Sequence, residues 1–309
     1  MKSRIAEIIR EHRTFEIITH ESPDEDAVGA ARALGHALVS LGKSICFSFP
    51  TPIPASLLFT EGPVSGDIDD PEISFLVDVS DMGMLRGIPP RGEIVVIDHH
   101  RTKNGFGLAS WIDPGKSSAS EMVYDLLCEM EIPITPSIAS NLFLGVFGDT
   151  GGFIHANTTE RVFQIAYELV HSGADPHFIA YRIRKAKPFT FYQILCKVME
   201  RVIIKDGVYG SYISFTDLDK FHARPEDASG VVEELASLAG SQLVIFLREV
   251  KPGTIHCSIR SKQNDAALNT ARAFGGGGHG LAAGFTVEGR PRELIHQVVK
   301  EGTKWVKTA

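Results

Sequence analysis

Short apolar runs alternate with stretches of helical periodicity through the first half of the chain. The runs FEIIT (15–19), SICFSF (44–49), ISFLVDV (73–79) and EIVVID (93–98) predict strands. Apolar positions spaced three and four apart predict helices over 27–41, closing at Gly42, and over 118–131, 136–147 and 159–172. This alternation is the pattern of an α/β layer fold with a mainly parallel sheet flanked by helices. Between the second and third runs, PTPIPASLLFTEGPVSGDIDDPE is rich in Pro, Gly and Asp and reads as an irregular connection.

From about residue 188 the pattern changes. A connecting helix, FTFYQILCKVMERV, precedes IIKDGVYGSYISF, a hairpin with Asp-Gly at its turn. A helix near 227–238, strands QLVIFLREV, TIHCSIR and AAGFTV, a glycine-rich loop at 275–280 and a closing helix from 290 follow. The expected organisation is a first domain over 1–187, a connecting helix over 188–202 and a smaller α/β domain over 203–309, with the active site in the cleft between the two domains. A length of 309 residues, roughly twice a common domain, agrees with two cores.

Composition narrows the class. With 43% hydrophobic and 22% charged residues the chain reads as an ordinary globular protein, neither fibrous nor disordered. No apolar run approaches the ~20 residues of a membrane span, and MKSRIAEIIREHRTFEI lacks the unbroken apolar core of a signal peptide. A cytoplasmic protein without membrane contact is expected. Cys46, Cys128, Cys196 and Cys257 are widely separated, which suits reduced, buried thiols better than disulfides or a zinc knuckle. A net charge of −7 argues against gripping long duplex nucleic acid and favours a small or locally held nucleotide. The basic stretch YRIRKAKPF reads first as a solvated helical face and second as a phosphate-binding one.

Chemistry enters at IITHESPDEDAVGA (17–30), where His20, Glu21, Asp24, Glu25 and Asp26 crowd behind the first strand. Ligands of open α/β sheets collect at the carboxyl ends of strands. In this chain those ends carry His20, Asp24 and Asp26, then Asp78, then Asp98, His99 and His100, while FLGVFGDTGGF adds Asp149. One such Asp is usually a cap or turn residue. The set, carboxylates with imidazoles, suits Mn²⁺, Mg²⁺ or Fe²⁺, and the number of acids calls for two ions.

His-x-x-x-Asp-x-Asp at 20–26, Asp78, Asp-His-His at 98–100 and Gly-Asp-Thr-Gly at 148–151 resemble the four motifs of the DHH phosphoesterases. DPGKSSASEMVYDLL and DTGGFIHANTTE are similar to text of the same family, and CSIRSK with FGGGGHGLAAGF resembles its DHH-associated C-terminal domain. The resemblance implies that His20, Asp24 and Asp78 hold one metal ion, and Asp26, Asp78, His99 and Asp149 the other, with Asp78 bridging. It also implies that His100 faces the scissile phosphate and that Asp98 orients the histidines. Mn²⁺ is the expected metal, with Mg²⁺, Co²⁺ and Fe²⁺ as alternatives. Ser22 and Glu25 depart from the commonest first motif, and Glu21 and Glu25 are expected to be solvated or to support the ligands rather than bind metal.

In the second domain the resemblance implies that Arg260, Ser261, Gly276, Gly277, Gly278 and His279 bind the nucleotide. The bland reading of the glycine run is a flexible loop. Among family types, a chain of this length without added domains is similar to the bifunctional oligoribonuclease and adenosine 3′,5′-bisphosphate (pAp) phosphatase type, acting on short RNA or a small nucleotide. A soluble phosphodiesterase for cyclic or linear dinucleotides is the alternative, and a non-catalytic nucleotide-binding protein the third reading. A homodimer is compatible with all three.

Overall fold

The computed structural model describes residues 1–100, 105–263, 265–278 and 280–306, which form two compact units, Met1–Ala186 and Lys187–Ala309. His279 lies outside the described residues. Among the described residues no helix is long and apolar enough to cross a membrane.

The first unit opens with α1 (Lys2–Glu11), β1 (Thr14–Ile18), α2 (Glu25–Ser40) and β2 (Ser44–Ser48). It continues through β3 (Ile73–Val77), β4 (Glu93–Asp98), β5 (Ala109–Ile112), α3 (Ala119–Glu129), α4 (Pro136–Asp149), α5 (Glu160–His171) and α6 (Pro176–Ala180). Its five strands run in the order β2-β1-β3-β4-β5, all parallel. Such sheets are covered on both faces, and the unbroken apolar strands follow from that. Phe15, Ile17, Phe75, Val77, Val95 and Ile97 pack with the helices on one face. Ile18, Leu76 and Val96 meet Val79 and Leu85 on the other. β5 escapes the sequence pattern because only Ala109 of its four residues is fully buried.

The second unit comprises α7 (Phe189–Met199), β6 (Ile203–Lys205), β7 (Val208–Ile213), α8 (Phe215–Lys220), α9 (Val231–Ala236), β8 (Leu243–Lys251) and β9 (Thr254–Ser261). α10 (Ala266–Arg272), β10 (Gly277–Gly278), β11 (Ala282–Glu288) and α11 (Pro291–Gly302) complete it. The sheet order is β10-β11-β9-β8-β7-β6, with only β7 and β8 parallel. Asp206 and Gly207, at φ 48° and 77°, make the predicted hairpin turn.

Two local expectations need correction. The glycine run is not wholly a loop, since Gly277 and Gly278 pair with Gly284 and Ala283 as a short strand. The missing side chains permit this: a Cβ at Gly276 would come within 2.2 Å of the Gly284 carbonyl oxygen. Cys46 and Cys257 are buried, but Cys128 and Cys196 are exposed. The basic stretch forms an exposed helical turn, as expected: Tyr181–Lys185 is one turn of π-helix, with Arg182, Arg184 and Lys185 exposed and the two arginines lying over the rings of Phe59 and Phe147.

Candidate metal centre

Each acid and imidazole named above in the first unit sits at a strand end or a helix end. Asp24 caps α2, its Oδ1 accepting from the Asp26 and Ala27 amides at 3.1 Å each. Asp26, in the first turn, is fully buried, and its carboxylate accepts from Ala119 N at 2.6 Å and Ser120 N at 2.9 Å, at the N-terminus of α3. Two glycines allow α2 to approach α4 this closely. A Cβ on Gly29 would lie 2.4 Å from Asn141 O, and one on Gly145 would lie 2.5 Å from Asp26 Oδ1. α4 in turn ends at Asp149.

Asp78 follows β3 with φ +60°, a conformation few residues other than Gly adopt, although Asp tolerates it. Its amide donates to Ile97 O at 2.9 Å, tying the strained residue to β4. Backbone strain of this kind concentrates at functional sites. β4 ends at Asp98, a buried carboxylate whose Oδ1 lies 2.8 Å from His100 Nδ1 and also accepts from the His100 amide at 3.2 Å. Asp98 thereby orients His100.

These side chains converge into three groups whose ligand atoms all lie within 4.8 Å of one another: His20–Asp24–Asp78, Asp26–His99–Asp149 and Asp78–His99–His100. Asp78 links them. Its Oδ2 is 3.5 Å from His20 Nε2, and its Oδ1 is 3.6 Å from His99 Nε2 and 3.3 Å from His100 Nδ1. His99 Nε2 also approaches Asp149 Oδ2 at 3.0 Å. Yet Asp78 Oδ1 and His99 Nε2 are buried with no hydrogen-bond partner. Orphaned polar atoms at such depth fit a site that takes a cation.

The electrostatics agree. Burial raises the Asp26 carboxyl, and the Asp149 and Asp78 charges raise it further; Asp149 is likewise raised, chiefly by burial. Asp78 is pulled far below the carboxylate range against its burial, by the imidazoles of His100 and His20. Burial would lower the histidines, but the surrounding carboxylates hold His20 and His100 at about 11 and His99 at about 9. Protons on the imidazoles thus offset an excess of negative charge, a role that divalent cations fill better. Oxygen and imidazole donors without thiolate fit Mn²⁺, Mg²⁺ or Fe²⁺.

Glu25 joins none of these groups among the described residues. It packs on Gly148, where a Cβ would approach its own at 2.4 Å. Burial and Asp24 raise its carboxyl, and Arg184 opposes them. Two residues with no role assigned from sequence also support the centre. His155 Nδ1 lies 3.2 Å from Asp149 O, and Asn157 Nδ2 donates to Asp149 O at 3.2 Å and Ser117 O at 3.0 Å. The signal was present in DTGGFIHANTTE, because Gly151, at φ +62°, leaves room for no side chain under the His155 ring.

Within the second unit, Arg260 is half-buried and already engaged: Nη2 lies 2.9 Å from Glu233 Oε1 and Nη1 donates to Ile259 O at 3.1 Å. Ser261 Oγ lies 2.8 Å from Gln263 O and accepts from Gln263 N at 3.0 Å, pinning the turn after β9. Gly277 faces open space, whereas a Cβ on Gly278 would come within 2.6 Å of Ala283 Cα.

Residues 14–146 match the DHH family, N-terminal domain, and residues 206–308 the DHHA1 domain. Over 291 residues, 93% of this chain and 88% of the relative, the sequence is 31% identical to the bifunctional oligoribonuclease and PAP phosphatase NrnA of Thermus thermophilus. It is 26% identical over 295 residues, 93% of each chain, to the protein of the same name from Bacillus subtilis. An exopolyphosphatase-related protein from Bacteroides fragilis shares the fold, with a TM-score of 0.91 at 23% identity over 98% of this chain and 95% of that one.

Proposed function

From the premise that this chain belongs to the DHH family of phosphoesterases and carries a C-terminal DHHA1 domain, we propose that it hydrolyses short oligoribonucleotides, pAp, or both. The observation that carries the reading is Asp78, a strained, buried carboxylate common to two of the three ligand groups and within 3.6 Å of His99 in the other. Two relatives named as oligoribonuclease and PAP phosphatase support the substrate class.

In this reading His20, Asp24 and Asp78 hold one divalent ion, and Asp26, Asp78, His99 and Asp149 the second, with Mn²⁺ the proposed metal. Two such ions, when bound, supply an attacking water near neutral pH and offset charge on the phosphoryl oxygens. Backbone amides of Ala119 and Ser120 keep Asp26 in place without using up its lone pairs, since a carboxylate offers about four acceptor sites. His100, oriented by Asp98 through Nδ1, serves the scissile phosphate as hydrogen-bond donor or acid. Arg260 holds the nucleotide away from the cut, its fork suiting a phosphate.

A panel of pAp, two- to five-nucleotide RNAs, cyclic and linear di-AMP and pyrophosphate, assayed with Mn²⁺, tests the substrate class. Turnover confined to the cyclic or linear dinucleotides would replace the proposal. Asp98→Asn should lower kcat by about 10- to 100-fold with metal content unchanged, because it alters the group that orients His100 rather than a ligand. A wild-type rate in that variant would remove Asp98 from the mechanism. Arg260→Ala should cost about 10- to 100-fold in kcat/KM on pAp and short RNA, the worth of a charge-assisted hydrogen bond. Hydrolysis of bis-p-nitrophenyl phosphate, too small to need that grip, should largely survive. Equal losses on both substrates with metals retained would show that Arg260 takes part in the chemistry.

A further inference from the structure

β9 turns alternate side chains to opposite faces of the second sheet. Ile255, Cys257 and Ile259 enter the core with α10 and α11, leaving His256, Ser258 and Arg260 half-buried on the other face. The register sets His256 beside Thr286, Ser258 beside Gly284 and Arg260 beside Ala282 on β11. Over β8 this face is closed, because Val244 and Phe246 pack with Val231, Val232 and Leu235 of α9. Along β11 the side chains on this face are small, those of Ala282 and Thr286, and Gly284 has none, since a Cβ there would come within 2.5 Å of Cys257 O. The result is a shallow ledge with Arg260 at one end and His256 at the other. Four residues of strand separate them, about 13 Å at ~3.3 Å per residue.

The ledge carries half-buried hydrogen-bonding groups that no protein group engages among the described residues. His256 Nδ1 meets Thr286 Oγ1 at 3.2 Å, but Nε2 and the Ser258 hydroxyl make no hydrogen bond among the described residues. Burial first, then Arg248 and Arg260, hold His256 below the usual imidazole range, so it is neutral near pH 7. Arg260 keeps further N–H groups beyond the two given to Glu233 and Ile259, as a guanidinium has five.

We infer that this ledge seats a second nucleotide of a short single-stranded RNA, next to the one gripped at Arg260, with His256 Nε2 and Ser258 Oγ hydrogen-bonding its sugar and phosphate. The inference rests on the proposed nucleotide grip at Arg260 and deepens it. A nucleoside bisphosphate has one sugar and two nearby phosphates, so it ends before reaching His256, whereas an oligonucleotide runs along the strand. Neutral groups that hydrogen-bond sugar and phosphate over a flat backbone floor read no base, which suits a subsite for RNA of any sequence. The second unit thereby favours chains of several nucleotides over pAp.

The test is binding of pAp and of pentaadenylate to wild type, His256→Ala and His256→Gln, with Ca²⁺ in place of Mn²⁺ to suppress turnover. Wild type should bind the pentanucleotide more tightly than pAp. His256→Ala should weaken only the pentanucleotide, by about two- to tenfold for one neutral hydrogen bond, and His256→Gln should recover part of the loss. Equal weakening of both ligands, no weakening of the pentanucleotide, or wild-type affinities that do not differ would overturn the ledge. Turnover with Mn²⁺ is read separately. Selective binding with no hydrolysis of either compound would defeat the hydrolase reading and leave the ledge standing.

Discussion

Asp78→Asn is expected to lower kcat/KM by about a thousandfold or more, ~4 kcal/mol of transition-state stabilisation, and to reduce the metal content of the purified protein. Asn keeps the size of the side chain and tolerates the positive φ that Asp78 adopts, so the backbone between β3 and β4 has no reason to move. What changes is one anionic oxygen at the point where His20, His99 and His100 all approach within 3.6 Å. In its place an amide NH₂ faces atoms that need an acceptor or a ligand. Glu25→Gln is the control. Glu25 lies between two proposed ligands in sequence but joins no ligand group among the described residues, so its loss should cost less than about tenfold. Kinetics on pAp together with elemental analysis decide the matter, and comparable losses in the two variants would remove Asp78 from its bridging role.

Chelation should have the other large effect. EDTA is expected to abolish hydrolysis, with Mn²⁺ restoring it and Ca²⁺ restoring little, because the larger, looser coordination sphere of Ca²⁺ suits imidazole donors poorly. Stability gives a second readout that does not depend on turnover. Metal that binds only the folded chain at a hundred times its Kd adds about 2.7 kcal/mol, worth roughly 5–10 °C in Tm for a unit of this size. The reason lies in the acids themselves: Asp26, Asp78 and Asp149 are held close together, and Asp26 is raised by the charges of the other two. Thermal melts with EDTA and with Mn²⁺ measure the shift, which should shrink in Asp78→Asn. Full activity in chelator with an unchanged melt would end the two-metal account.

The parallel strands of the first unit were legible because each is buried on both faces and therefore apolar along its whole length, as in Ile73–Val77. β5 and β10 were not. β5 is only partly covered, and β10 consists of two glycines whose pairing depends on a partner strand rather than on their own side chains. The acids and histidines of the candidate site stood out against the apolar runs they follow, whereas His155 and Asn157, which meet the Asp149 carbonyl, did not.

What the sequence determined by itself was local: the strand and helix periods, the hairpin turn at Asp206-Gly207, and the kind of donor at each strand end. Tertiary structure decided everything that depends on neighbours far along the chain. Asp26 is fixed by amides 93 and 94 residues away, and Arg260 is paired with Glu233, 27 residues before it. His256 faces the ledge because β9 and β11 pair in one register and no other. Periodicity reports which face of an element is apolar. Burial, charge compensation and pKa are sums over groups that only folding brings within a few ångströms, so no local pattern encodes them.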